Sequence, residues 1–358
     1  GMVNVIFAPA QATSVVTTVP FVSPWRFVVM GTSADINANV MPENLSPPCD
    51  LEDTSWIEPG VTAWTWLNGE GTSSLATYKR YVDLAADMGW QYLLLDEGWQ
   101  PGAPSGRGRR YQGYYSWMDE LVAYADEKGV GLLVWAYHSD LADPEYCEQL
   151  FAEWHEMGIK GLKPDFFDSQ AQSVMQTYDR LMRLSAKYEL VLNPHGANKP
   201  TGERRTWPNA LTREGIFGAE QDPYRPAGGV SKYNCLVPFI RNAVGPADYT
   251  PMFSKYRTSG SNQRLYSLAH QAALAVIYDS GIQCLSDRDS AYLNSPARDF
   301  FYNLPTGWDE SQMLAGEPGV YVNMAKRSGA NWYVGAICDT PRDAVIVLGF
   351  LEEGATYY

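Results

Sequence analysis

GIKGLKPDFFDSQ, residues 158–170, decides how this chain is read. An apolar run of strand length ends in Lys163, Pro164 and Asp165, and charges at such a place are costly unless they meet partners or open into a polar cleft. Parallel β/α architectures place their functional groups where strands run out at their carboxyl ends. The stretch therefore predicts a strand whose end faces a site.

The same shape repeats on either side. VTAWTWLN from Val61, QYLLLDEG from Gln91, GLLVWAYHS from Gly131 and LVLNPHG from Leu190 read as strands, with weaker candidates in GIFGAEQ from Gly215, ADYTPM from Ala247 and IQCLSD from Ile282. Helical spacing fills residues 75–89, 116–129, 143–158 and 171–188, and the first three end in glycine. Ser116 reads as the cap of the second. Eight strands alternating with helices predict a (β/α)8 TIM barrel over residues 61–305, while a doubly wound open sheet shares only the early pattern. Residues 1–60, with VNVIFA and RFVVMG, predict an N-terminal β segment and linker. Residues 306–358, with GVYVNMAK, NWYVGAICD and DAVIVLGFL, predict a C-terminal antiparallel β domain.

Composition narrows the partner. Of 358 residues, 41 are acidic and 27 basic, a formal net charge of -14 that disfavours a phosphate backbone and predicts no nucleic-acid partner. No apolar run is long enough to span a membrane. The 12 Trp and 23 Tyr suit the flat faces of sugars as well as a large core. Cys49, Cys147, Cys235, Cys284 and Cys338 lie far apart, without metal spacing, and read as free, mostly buried thiols. Four histidines without paired spacing argue against a zinc hydrolase. There is no signal peptide, and the leading Gly1 leaves the native compartment open.

Nearly every predicted strand end carries a polar group: Asn68, Asp96 and Glu97, His138, Asp165, Asn193 and His195, Glu220, Asp248, Asp287. One such acid is usually a helix cap or an ion-pair partner; a ring of them converges on one pocket. Several carboxylates around a cleft suit glycoside hydrolysis, which needs one acid to protonate the leaving oxygen and one carboxylate to attack the sugar or activate water. Asp96, Glu97, His138, Lys163, His195 and Lys199 are read as substrate-binding groups, with Trp99 stacking on a ring face. Lys163 also shares a strand face with Asp165 and can stabilise its charge.

SWIEPGVTAWTW, YKRYVDLAADMGWQYLLLDEGW, GLKPDFFDSQAQ, HGANKPTGERRTWPNALTREGIFGAEQ and VPFIRNAVGPADYTPM, in that order, resemble glycoside hydrolase family 97. The resemblance implies a (β/α)8 barrel between an N-terminal β-sandwich, mostly absent from this chain, and a C-terminal β domain. In the retaining branch an aspartate closing the fourth strand is the nucleophile, here Asp165. Inverting members lack it and carry a glutamate directly after the fifth-strand histidine, where this chain has Gly196. The resemblance further implies that Glu220 is the acid/base, that calcium sits at Glu214 and Glu220, and that the protein is periplasmic or secreted. The expected activity is that of a retaining α-galactosidase on an oligosaccharide or glycoside. β-L-Arabinopyranosidase and inverting α-glucosidase activity are the alternatives within the family. A carbohydrate-binding barrel without catalysis and a Schiff-base enzyme using Lys163 are those outside it.

Overall fold

A computed structural model describes residues 16–23, 25–101, 113–224, 229–252 and 267–357. Two short helices, α1 (Ser33–Asn37) and α2 (Met41–Leu45), precede the strand β1 (Gly60–Trp64). Then follow α3 (Leu75–Met88), β2 (Tyr92–Leu95), α4 (Met118–Glu127), β3 (Gly131–Tyr137), α5 (Pro144–Met157), β4 (Gly161–Asp165), α6 (Gln172–Lys187), β5 (Val191–Leu192) and, much later, β6 (Ile282–Leu285). These six strands form one parallel sheet in the order β5-β4-β3-β2-β1-β6.

Local chemistry explains the helix ends. Ser74 caps α3 by accepting from Thr77 N, and Gly89 closes it in the left-handed region at φ 67°. Asp143 accepts from Glu145 N and Tyr146 N, Pro144 opens α5, and Gly158 ends it at φ 95°. The Ser116 cap is not formed: α4 starts at Met118, with Trp117 at the cap position and no side-chain bond.

Strand side chains alternate between two apolar environments, as a sheet buried on both faces requires. Val61, Ala63, Leu93, Leu95, Leu132 and Val134 pack with the helices. Trp64, Tyr92, Leu94, Leu133, Val191 and Cys284 form a second cluster on the other face. The register pairs Trp135 with Lys163 and Tyr137 with Asp165, bringing the ends of β3 and β4 level.

Two predicted strands do not form. GIFGAEQ runs into a 3-10 helix, Ala219–Tyr224, and ADYTPM joins no sheet, with Thr250 in the left-handed region at φ 57°. Isolated backbone bonds replace the ladder there: Leu192 N to Asn209 O, Glu214 N to Pro194 O, Asp248 N to Arg213 O and Ala219 N to Tyr249 O. Among the described residues the parallel sheet thus has six strands, not eight.

The N-terminal β expectation also fails where it is described. RFVVMG makes no strand, and Val28 and Met30 are more than four-fifths exposed. VNVIFA lies outside the described residues. The C-terminal expectation holds for two of its three runs: β7 (Glu310–Glu317), β8 (Tyr321–Ser328) and β9 (Asn331–Cys338) form an antiparallel sheet in that order. It packs Val322, Met324 and Ile337 against Leu274, Ile277 and Tyr278. DAVIVLGFL forms no strand, with Val345 and Val347 largely in water. All five cysteines are free; Cys147, Cys235 and Cys284 are buried and Cys49 is exposed. No helix among the described residues is long and apolar enough to cross a membrane.

Candidate active site

Lys163, on β4, is the centre of the polar cluster. Its ammonium lies 2.8 Å from Asp96 Oδ2 and 3.8 Å from Asp165 Oδ2, over the ring of Trp64 at 4.5 Å. Burial disfavours its charge, but Asp96, Asp165 and Glu220 outweigh that and raise its pKa. Removing one partner from such a buried pair costs about 3–5 kcal/mol, because the other charge is left unpaired.

Asp96 follows β2 and is 2% exposed. Its Oδ2 also accepts from Trp64 Nε1 at 2.7 Å, while Oδ1 accepts from Glu97 N at 2.7 Å. Glu97 is half-buried; burial, Asp96 and Asp165 raise its pKa against the pull of Lys163.

Asp165 ends β4 and keeps part of its carboxylate open. Oδ2 accepts from Trp135 Nε1 at 3.0 Å and Oδ1 from Phe166 N at 2.7 Å. Gly196 abuts it. A Cβ built there would stand 2.7 Å from Phe166 N and 3.0 Å from Asp165 Oδ1, and Gly196 has φ 52°. Only a residue without a side chain fits beside that aspartate.

Behind them is a second ion cluster. His195 Nε2 lies 2.9 Å from Asp248 Oδ2 and Nδ1 lies 4.0 Å from Glu214 Oε1. Burial and Lys163 oppose the charge on His195, yet Glu214 and Asp248 raise its pKa to about 8. Asp248 is fully buried and accepts from Asn193 Nδ2 and Cys284 N. Burial works against its charge, but the His195, Cys284 and Asn193 donors hold its pKa below the usual carboxylate value. Glu214 Oε2 accepts from Gly196 N at 2.7 Å.

Glu220 lies in the 3-10 helix rather than on a strand. Burial drives its pKa up to about 7; Lys163 and His195 pull it down, and Glu214 and Asp96 push it further up. It therefore shares the electrostatic environment of Lys163, His195, Glu214 and Asp96.

Two expected contacts are not made. Trp99 is 1% exposed: Gly98, at φ 96°, turns the chain back inward, the indole N–H donates to Trp135 O at 2.9 Å, and the ring packs on Trp154 and Tyr114. It is core, not a sugar platform. Lys199 is exposed, and among the described residues it makes no hydrogen bond or ion pair with the cluster. His138 is half-buried, stacked on Phe167 at 4.8 Å with Nδ1 3.3 Å from Asp165 O. Asn68 and Asp287 tie loops together, Asn68 Nδ2 donating to Asp287 O.

Trp64 and Trp135 are the participants that strand-end reasoning missed. Each lies within a strand and reaches a carboxylate with its indole N–H; the signal was an indole at an inward position beside an acid-bearing strand. Arg241 lies in the string VPFIRNAVGPADYTPM and can orient nearby acids. Its guanidinium donates to five carbonyls, those of Arg213, Glu214, Gly215, Gly245 and Pro246, and so holds the segment that carries Glu214.

The implied calcium meets a partial donor set. A calcium ion takes about six to eight oxygens. Glu214 and Glu220 bring two carboxylates, one already accepting from Gly196, and among the described residues no three His, Cys, Asp or Glu side chains are grouped to hold a metal. These residues alone do not fit a calcium cage, and the chemistry is derived from the side chains.

Cavities of about 770 and 850 Å³ lie beside Gln91, Gly131 and Lys160, at the strand starts, and beside Trp308 and Lys326. Convergent buried charge marks the candidate site.

Comparison with known proteins gives the family. The family described as Glycoside hydrolase 97 matches residues 56–216, and that described as Glycosyl-hydrolase 97 C-terminal, oligomerisation, matches 307–358. The chain belongs to glycoside hydrolase family 97. It is 38% identical over 318 residues to a probable retaining alpha-galactosidase of Streptomyces bingchenggensis, covering 87% of this chain and 49% of that protein. It is 37% identical over 350 residues to a retaining alpha-galactosidase of Bacteroides thetaiotaomicron, covering 92% and 52%. The chain thus spans about half the length of these family 97 relatives. A crystal structure of a beta-arabinopyranosidase superposes with a TM-score of 0.75 at 26% identity, over 86% of this chain and 50% of that one.

Proposed function

We propose that this family 97 chain is a retaining exo-glycosidase acting on terminal α-galactosides, with Asp165 as nucleophile and Glu220 as acid/base. The observation that carries the reading is the contact of Gly196 with Asp165. The resemblance implies that inverting members carry a glutamate at 196, and here no Cβ fits there while the aspartate and the Phe166 backbone keep their places. The relatives named retaining alpha-galactosidases support the same branch. The run 209–252 is read here as the irregular pair of staves that closes the six strands into a (β/α)8 barrel.

In the first step an Asp165 oxygen bonds to the anomeric carbon while Glu220 gives its proton to the departing glycosidic oxygen, leaving a glycosyl ester and a neutral aglycone. In the second, Glu220 takes a proton from water, the hydroxide oxygen bonds to the anomeric carbon, and Asp165 is released. Lys163 and the Trp135 and Phe166 N–H groups orient the attacking carboxylate. The pKa of Glu220, raised to about 7, leaves a substantial share of it protonated at neutral pH, as a general acid requires.

Hydrolysis of an aryl α-galactoside, followed by NMR, is expected to yield α-galactose first. β-Galactose as the first product overturns the nucleophile assignment. The arabinopyranosidase likeness supplies the second reading. L-Arabinopyranose has the galactose ring configuration without the hydroxymethyl group, so comparing kcat/KM on aryl β-L-arabinopyranoside and aryl α-galactoside decides between them.

A further inference from the structure

Asp248 stands where the regular sheet stops. Its carboxylate is fully buried, a costly position unless donors meet it, and those donors come from different parts of the fold. Oδ2 lies 2.8 Å from Asn193 Nδ2 and 2.9 Å from His195 Nε2, both in the segment that continues β5, while Oδ1 accepts from Cys284 N of β6 at 3.2 Å. β5 and β6 stand at opposite ends of the sheet order. One side chain thus ties together two edges that no ladder joins among the described residues.

The backbone around this carboxylate brackets the proposed acid. Asp248 N donates to Arg213 O at 3.4 Å, beside Glu214, and Tyr249 O accepts from Ala219 N at 2.8 Å, beside Glu220. Gly218 lies against the same carbonyl: a Cβ built there would stand 2.8 Å from Tyr249 O. On the other side His195 N donates to Pro164 O at 2.9 Å, next to Asp165, and Gly196 abuts Asp165 itself. The segment beside the nucleophile and the segment that carries the acid meet at Asp248.

We propose that Asp248 is a positioning residue that sets the spacing of Asp165 and Glu220, by clipping the segment that carries the acid to the edge strand beside the nucleophile. The inference rests on the glycosidase reading above and adds what keeps its two carboxyl groups in register. A retaining pair stands about 5–5.5 Å apart, and a misplacement of about 1 Å can cost about 10²-fold in rate. An acid that drifts fails first on leaving groups that need its proton.

Asp248→Asn keeps the shape of the side chain and an oxygen for Cys284 N, but turns an amide donor onto the donors of Asn193 and His195, so it opens the link to β5. The test measures kcat/KM in the full chain on methyl α-galactoside, a poor leaving group, and on dinitrophenyl α-galactoside, whose leaving group departs without a proton. Asp248→Asn is expected to lower the first by about 10²-fold and the second by less than about threefold. An equal or larger loss on the dinitrophenyl substrate assigns Asp248 to the fold alone and overturns the proposal, as does no loss on either. If Asp248→Asn fails to fold, Asn193→Ala, which removes one donor and keeps the carboxylate, takes its place. A fall of about fivefold confined to methyl α-galactoside is then expected, the size of one hydrogen bond, and an equal or absent fall overturns the proposal. Glu220→Gln is the reference: absence of the leaving-group pattern there, or of α-galactoside turnover in the unsubstituted protein, refutes the underlying reading, a result distinct from these.

Discussion

From β1 to β4 neighbouring strands pair residue by residue; between residues 209 and 252 the described backbone joins no sheet and runs through short helical turns and isolated bonds, with Arg241 reaching five carbonyls. The first region delivers Asp96, Lys163 and Asp165 on strands or directly after them. The second delivers Glu214, Glu220 and Asp248 on irregular chain. Outside the sheet the two buried acids diverge: burial drives the pKa of Glu220 up, while donors hold that of Asp248 down. The proposed nucleophile belongs to the rigid side and the proposed acid to the adaptable one.

The largest effect is expected at the rigid side. Asp165→Ala is expected to lower kcat by more than about 10⁴-fold, beyond what acid–base assistance alone supplies. Azide is expected to restore turnover by forming a β-galactosyl azide. Near-normal turnover in that variant erases the contrast between the regions.

On the adaptable side, Glu220→Gln is expected to cost about 10²- to 10⁴-fold on substrates with poor leaving groups. The reaction needs Glu220 protonated, and its pKa is raised to about 7. Activity should therefore fall as pH rises through about 7, and this limb should vanish from the Glu220→Gln profile.

Arg241→Met tests how the irregular region is held. Its guanidinium is nearly buried, and burial lowers its pKa to about 9, but five carbonyls depend on it. Loss of these bonds should lower stability by at least about 3 kcal/mol in urea unfolding. Arg241→Lys, with fewer donors and no fork, should recover only part of it.

The smallest change is expected where the two regions touch. Gly196→Ala introduces strain of about 1–3 kcal/mol. It should lower kcat about tenfold with a modest fall in Tm, because the new Cβ meets Phe166 N and Asp165 Oδ1. Undiminished activity shows that the fit of Gly196 to Asp165 does not matter.

The same contrast explains what the sequence reveals. β1–β4 are legible because strands buried on both faces are written as apolar runs, and because α3 and α5 end in left-handed glycines. Residues 215–221 and 247–252 mislead because their short apolar runs pair with nothing in a ladder, and the group that satisfies the nearby carbonyls lies in a different segment. Trp99 misleads because it directly follows Asp96, Glu97 and Gly98, and only the turn at Gly98 sends it inward. RFVVMG is a β-type apolar run but has no partner strand among the described residues. Asp165 and Lys163 were legible from their place at a strand end; that Trp64 and Trp135 reach into the same cluster was not, since an indole in an apolar run reads as packing.

The bare α-carbon at 196 also bears on ancestry. If Asp165 is the nucleophile as proposed, a lineage moving between the two stereochemical outcomes would have to change both positions, and the order would not help. Installing a side chain at 196 first would crowd the aspartate, while deleting the aspartate first would leave nothing to attack the sugar. The close approach of two neighbouring loops would then act as a valley between two mechanisms.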